Sequence, residues 1–290
     1  MKVLLRLDIL LSAKLEPGNF MKKVFSITIL TIFVSVVSTT AIAQQSRIES
    51  LEKQCNSGDM DACDALGCEF ARGDLIEADP AKAAKIFTSA CDSNNGSACG
   101  HLGYLYTVGN GVKLDLDLAA TLYRKACDLK FYESCVNLGI SYILGSGIEK
   151  SVDKAIPLLR IGCDHEQATG CTLIGNAYYN GLGLDKDLKM ANSYYVKACE
   201  MDSGEACANI GLNYAQGEGV EQNYELAYEY FTKGCDLGAG EGCFNAGVMY
   251  ANGWGIEQDY TISKAYYSKA CYLHYKPGCD EYENLNNEGM

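Results

Sequence analysis

Residues 91–127 read CDSNNGSACG HLGYLYTVGN GVKLDLDLAA TLYRKAC, and one period of the whole chain is contained in them. The stretch opens on two cysteines eight apart, Cys91 and Cys99, and closes on Cys127, which is 36 residues after Cys91. The same pair recurs at that step as Cys55 with Cys63, Cys127 with Cys135, Cys163 with Cys171, Cys199 with Cys207, Cys235 with Cys243, and Cys271 with Cys279. Other columns keep register: Gly67, Gly103, Gly139, Gly175, Gly211 and Gly247, and the aromatics Phe70, Tyr106, Tyr142, Tyr178, Tyr214 and Tyr250. A fixed period of this length is the signature of a repeat architecture, so 290 residues form one array rather than two domains.

Within a period, helical spacing covers Ser97 to Val108 and again Asp115 to Leu129. Gly109 and Gly111 separate them, and the pair recurs at 145/147, 181/183, 217/219 and 253/255. Glycine reaches the positive φ that ends one helix and reverses the chain. The second helix then opens on a capping side chain: Asp79, Asp115, Ser151, Asp187, Asn223 or Asp259. Cys99, Leu102, Gly103 and Tyr106 share one face, and that face is core. A glycine such as Gly103 costs about 1 kcal/mol against alanine inside a helix, so its use there implies close approach of a neighbouring helix. A hairpin cannot bury such a face alone, but stacked hairpins can; the expected fold is an all-α solenoid, a tetratricopeptide-like superhelix of 36-residue period. Pro157 lies inside a second helix, where a kink is expected.

The cysteine pairs fall where one unit ends and the next begins, at bridging distance across a short turn, which predicts seven local disulfides. Zinc is the other use of paired cysteines, but it favours tighter spacing with four converging ligands. Cys68 is the unpaired fifteenth cysteine: a reactive thiol on one reading, a small buried apolar residue on the other.

Met21-Lys22-Lys23 precedes an uncharged, mostly apolar run from Val24 to Ala43 that ends in Ala41-Ile42-Ala43. This reads as a signal peptide over 21–43 after an upstream extension over 1–20, leaving 44–290 as about six full repeats plus terminal capping helices. An uncleaved N-terminal anchor is the rival reading. The expected destination is secreted or periplasmic, with no membrane contact after cleavage. The chain carries a formal charge of −13, and loss of residues 1–43, with five basic and two acidic residues, deepens it to −16. Such a surface repels phosphate backbones and excludes nucleic acid as a partner.

The residues Leu102-Gly103-x-x-Tyr106, Gly109-x-Gly111-Val112, Asp115, Ala119-Ala120, Tyr123 and Lys125-Ala126-Cys127 resemble the Sel-one-like repeat, a relative of the tetratricopeptide repeat. One cysteine pair per unit makes the array similar to the Helicobacter cysteine-rich proteins. The resemblance covers about residues 46–286 and implies an exported superhelix of disulfide-bridged hairpins. It further implies adaptor or scaffold functions, or, from the cysteine-rich branch, a weak β-lactamase or penicillin-binding hydrolase and contact with host proteins.

The residues support an enzyme poorly. Ser151-Val152-Asp153-Lys154 matches the Ser-x-x-Lys element of serine β-lactamases, but the companion elements are missing and Ser151 stands in the capping column. The histidines, His101, His165 and His274, are scattered over three units, so neither a metal nor another cofactor is expected.

The columns at 101, 104, 105 and 108 should line the concave groove of such a superhelix. They read His101, Tyr104, Leu105, Val108; Asn137, Ile140, Ser141, Leu144; Leu173, Asn176, Ala177, Asn180; Asn209, Leu212, Asn213, Gln216; and Asn245, Val248, Met249, Asn252. None carries a charge with His neutral, in an acidic chain. Amides that both donate and accept suit a peptide backbone, so Asn137, Asn209 and Asn245 are read as a ladder for an extended peptide or chain terminus, with His101, Tyr104, Asn176 and Asn213 beside them. A peptide or protein ligand, or a cell-wall-like peptidoglycan fragment, is the expected partner of the groove; a β-lactam would follow from the enzyme reading. The competing reading is that curvature buries part of this face and makes its amides structural.

Overall fold

The computed structural model describes residues 43–289, which form fourteen α-helices and, among those described residues, no strand. Helix α1 covers residues 43–56. It is followed by α2 (Met60–Arg72), α3 (Pro80–Asp92), α4 (Gly96–Val108), α5 (Leu116–Asp128), α6 (Tyr132–Leu144), α7 (Val152–Asp164) and α8 (Ala168–Asn180). Then come α9 (Leu188–Glu200), α10 (Gly204–Gln216), α11 (Tyr224–Asp236), α12 (Gly240–Asn252), α13 (Tyr260–Tyr272) and α14 (Lys276–Asn287). Even-numbered helices are the first of each hairpin and odd-numbered ones the second. The extension and export signal read from the sequence lie outside the described residues, Ala43 apart.

The local chemistry sets each boundary. First helices stop at Gly73, Gly109, Gly145, Gly181, Gly217 and Gly253, all left-handed, with φ between 67° and 81°. Second helices begin where Asp79, Asp115, Ser151, Asp187, Asn223 and Asp259 accept backbone N–H groups of the first turn. Helix α7 runs through Pro157 without a break, its ring directed to solvent.

Each hairpin closes by a ring or leucine seated on a glycine. A Cβ on Gly103 would lie 2.9 Å from the Tyr123 ring, and one on Gly139 2.9 Å from Leu159. The side chains in that column, among them Phe87, Tyr123, Leu159, Tyr195 and Phe231, are buried, each contributing about 1.5–3 kcal/mol of burial free energy. The second turn glycine sets the distance between hairpins. A Cβ on Gly111 would collide with the backbone of Pro80, and one on Gly147 with that of Leu116, so each turn rests on the preceding unit's second helix.

All seven expected disulfides form: Cys55 to Cys63, Cys91 to Cys99, Cys127 to Cys135 and Cys163 to Cys171 in the N-terminal units, then Cys199 to Cys207, Cys235 to Cys243 and Cys271 to Cys279. Their Cα–Cα separations run from 4.5 to 4.8 Å. From Cys91 onward each ties the end of a second helix to the next first helix, and Cys55 plays the same part for α1, so the staples join unit to unit. Lys125 Nζ donates to the Cys91 carbonyl at 2.6 Å and Lys233 Nζ to that of Cys199 at 2.8 Å. These place cations at the negative ends of the preceding helices. First helices also meet one another, α2 with α4, α10 with α12, and α12 with α14, whereas second helices make no comparable contact among the described residues. The first helices therefore form the inner side of the stack.

Candidate functional site

The inner face has three kinds of position. Column 108 is open: Val108, Leu144, Asn180, Gln216 and Asn252 are all exposed. Column 101 is half-buried between successive first helices. Column 105 is buried rather than open, which corrects the expectation for Leu105, Ser141, Ala177, Asn213 and Met249, although Leu105, Asn213 and Met249 still reach the floors of clefts on this face. The cause is that each first helix packs on its own second helix and also on the preceding one, so its buried arc is wider than a single stripe. Met249, for example, sits in a core with Phe231 of the preceding α11.

Asn213 is therefore a structural amide. It is 2% exposed and donates to Asn192 Oδ1, while Asn192 donates onward to the Glu218 carbonyl at 2.8 Å. Asn176 is partly engaged, its Oδ1 accepting from the Tyr195 hydroxyl at 2.7 Å. Asn137, Asn209 and Asn245 differ from both: among the described residues, nothing donates to or accepts from their side-chain amides. Clefts open beside two of them. One of about 300 Å³ is lined by Asn176, Asn180, Glu205, Asn209 and Leu212. The other, about 180 Å³, is lined by Leu212, Gln216, Asn245, Val248 and Trp254.

One element of this face escaped the sequence reading. Glu133, Glu205 and Glu241 each stand four residues before an amide of the ladder, so a carboxylate sits one turn from each of Asn137, Asn209 and Asn245. Burial, with Glu205 nearby, raises the Glu241 carboxyl above the usual range. The i, i+4 recurrence was available as a signal in column 97.

Ser151 and Lys154 are not brought together as a nucleophile and its activator. Ser151 Oγ accepts the Lys154 backbone N–H at 3.4 Å, and the Lys154 ammonium lies 5.7 Å from the Tyr142 ring centre. A hydroxyl committed to a cap is poorly placed to attack a carbonyl.

At the N-terminal end the face changes character. Asp64 and Cys68 lie one turn apart on α2, and α4 brings His101 to them. His101 Nδ1 is 2.8 Å from Asp64 Oδ1 and 3.6 Å from Cys68 Sγ. The rings of Phe87 and Phe131 flank the imidazole at 5.4 and 5.8 Å. Burial works to lower the imidazole pKa, but hydrogen bonds with Asp64 and Cys68 outweigh it and push the value up to about 10. Arg72 stands beside Cys68, which raises the guanidinium further. Cys68, Arg72, Phe87, His101, Tyr104 and Asn110 line a cleft of about 530 Å³, and Tyr104 is 57% exposed. Both short contacts reach the same ring nitrogen. A nucleophile–base–acid relay needs the two nitrogens to serve different partners, so this is not a catalytic triad. The sequence marks Cys68 as an unpaired cysteine and His101 as a groove residue, but no repeat column joins the two or singles out Asp64.

The Sel1 repeat profile matches residues 61–95, 96–131, 133–165, 168–203, 204–238 and 240–275. Among solved structures, the chain is similar to c5321, described as a protective antigen present in uropathogenic Escherichia coli strains and displaying an SLR fold. The identity is 27%, the TM-score 0.73, and the match covers 83% of this chain and 52% of that one. This chain thus spans about half the length of the antigen. A Sel1 repeat protein from Oxalobacter formigenes is 27% identical with a TM-score of 0.70, covering 79% and 89%. Helicobacter pylori cysteine rich protein B is 35% identical over 47% of this chain and 97% of its own, with a TM-score of 0.38. No curated protein matches the chain.

Proposed function

This chain belongs to the Sel1 repeat family, and from that premise we propose that it is an exported interaction scaffold whose inner face holds an extended peptide segment of a protein partner. The observation that carries the reading is the set of uncommitted amides at Asn137, Asn209 and Asn245, in the register where a core residue would need no hydrogen-bonding capacity. An amide donates and accepts together, which matches one peptide unit of an extended strand. The flanking Glu133, Glu205 and Glu241 favour a ligand with basic side chains or a free amino terminus. Export is supported by seven disulfides, which persist in oxidising compartments, and by the basic-apolar-small pattern at residues 21–43. No helix among the described residues is long and apolar enough to cross a membrane.

The test is selection of peptides from a random displayed library by the purified chain and by a triple variant carrying Asn137→Ala, Asn209→Ala and Asn245→Ala. The wild type should enrich peptides with basic residues, and the variant should retain its helical circular dichroism while losing the enrichment. Equal enrichment by both proteins contradicts the reading.

A further inference from the structure

The repeat supplies an internal control for Cys68, because every unit offers the same backbone to a different side chain. In the column of Asp64 the following units carry Gly100, Val136, Thr172, Ala208 and Phe244; in that of Cys68, Tyr104, Ile140, Asn176, Leu212 and Val248; in that of His101, Asn137, Leu173, Asn209 and Asn245. No unit needs a carboxylate, a thiol or an imidazole to fold at these places. Yet all three occur at one junction, and their ligand atoms lie within 4.8 Å of one another.

We propose that Asp64, Cys68 and His101 form a site for one divalent transition-metal ion of the zinc type, with a fourth position open to the adjoining cleft. The expectation of no metal rested on the scatter of histidines along the chain, but one histidine suffices when a thiolate and a carboxylate meet it. A tetrahedral ion with bonds of about 2.3 Å to sulfur and 2.05 Å to nitrogen holds those two atoms roughly 3.5 Å apart. Cys68 Sγ and His101 Nδ1 stand 3.6 Å apart. Asp64 Oδ1, at 2.8 Å from the same nitrogen, needs to recede by roughly 0.6 Å to reach the nitrogen–oxygen edge of that tetrahedron, a small side-chain rotation. Thiolate with imidazole selects zinc or its congeners over magnesium and calcium, which take oxygen ligands.

The surroundings fit a held ion. Phe87 and Phe131 fix the plane of the imidazole, and the cleft of about 530 Å³ is lined by Cys68 and His101, which leaves that side of the site accessible. Three protein ligands with one free position is the pattern of sites that take an external ligand. Here that ligand would come from the groove, so a partner's carboxylate or imidazole could complete the shell. Ligation also gives the unpaired cysteine a stable state among seven disulfides that a free thiolate would otherwise exchange with. On binding, the thiol proton and the proton at His101 Nδ1 leave to solvent.

The test uses the full exported chain with its disulfides intact, stripped by chelator and titrated with Co²⁺ alone. A thiolate-to-cobalt charge-transfer band should saturate at one equivalent and vanish in Cys68→Ser. Asp64→Asn and His101→Asn, the latter the residue three other units carry, should weaken binding by more than the roughly 10–100-fold that loss of an outer-shell partner costs. Zn²⁺ should slow alkylation of Cys68. The proposal is overturned if no such band appears, if it survives unchanged in His101→Asn, or if Cys68 alkylates or forms a mixed disulfide with glutathione equally fast with and without Zn²⁺. Circular dichroism of each variant separates loss of the site from loss of the fold.

Discussion

The junction of α2 with α4 and the junction of α10 with α12 share a backbone and differ in chemistry. At the first, the column between the two first helices carries His101, held by Asp64 and Cys68 in a charged cluster. At the second, the same column carries Asn245, whose amide has no partner among the described residues. Both junctions are built by the same devices: a disulfide, a glycine under a large side chain, and a capped second helix. The fold therefore leaves this column free, and what occupies it can be read as function.

The largest expected effect tests that shared frame. Removing Cys91–Cys99 or Cys235–Cys243 by paired alanine substitution should cost about 2–3 kcal/mol in either place, measured by denaturant unfolding. Only the first should change the rate at which Cys68 is alkylated, because only that staple ties α4, and with it His101, to α3. The next effect separates structural from available amides. Asn213→Ala should cost about 1–3 kcal/mol, since it leaves Asn192 buried and short of a partner. Asn209→Ala should stay within about 0.5 kcal/mol.

The smallest effect concerns pH. The imidazole of His101 faces Asp64 and Cys68 of α2, with Arg72 beside the thiol, and only the rings of Phe87 and Phe131 from the neighbouring segments. Its folded pKa, pushed up to about 10, lies above the ordinary 6.5, so the stability it adds is complete below pH 6.5 and is lost as pH rises toward 10. The stability difference between wild type and His101→Asn, measured with chelator present, should shrink over that window. Solvent screens the partly exposed pair, which keeps the change small.

Much of this was legible in the sequence, because each structural device repeats. The 36-residue step located the disulfides, the turn glycines and the caps, and the helix bounds around Gly96–Val108 and Leu116–Asp128 agree within a residue. Column 105 was misread because a single helical period shows one apolar stripe, whereas each first helix packs against two second helices. Asp64 was missed for a different reason. Asp64 and Cys68 meet His101 across a unit boundary, 37 and 33 residues away, and neither offset is the period that organised the reading. Features that occur once are invisible to periodicity, and the fold is what brings them together.

The inner face is the centre of the account, and placing a photo-crosslinking residue on either side of the stack tests it directly. Gln216 is exposed on α10 at the groove, and Glu229 is exposed on α11. With a library-selected peptide bound, irradiation should yield crosslinks from position 216 and none above background from position 229. Crosslinking from position 229 alone, or equally from both, would contradict a ligand held along the first helices.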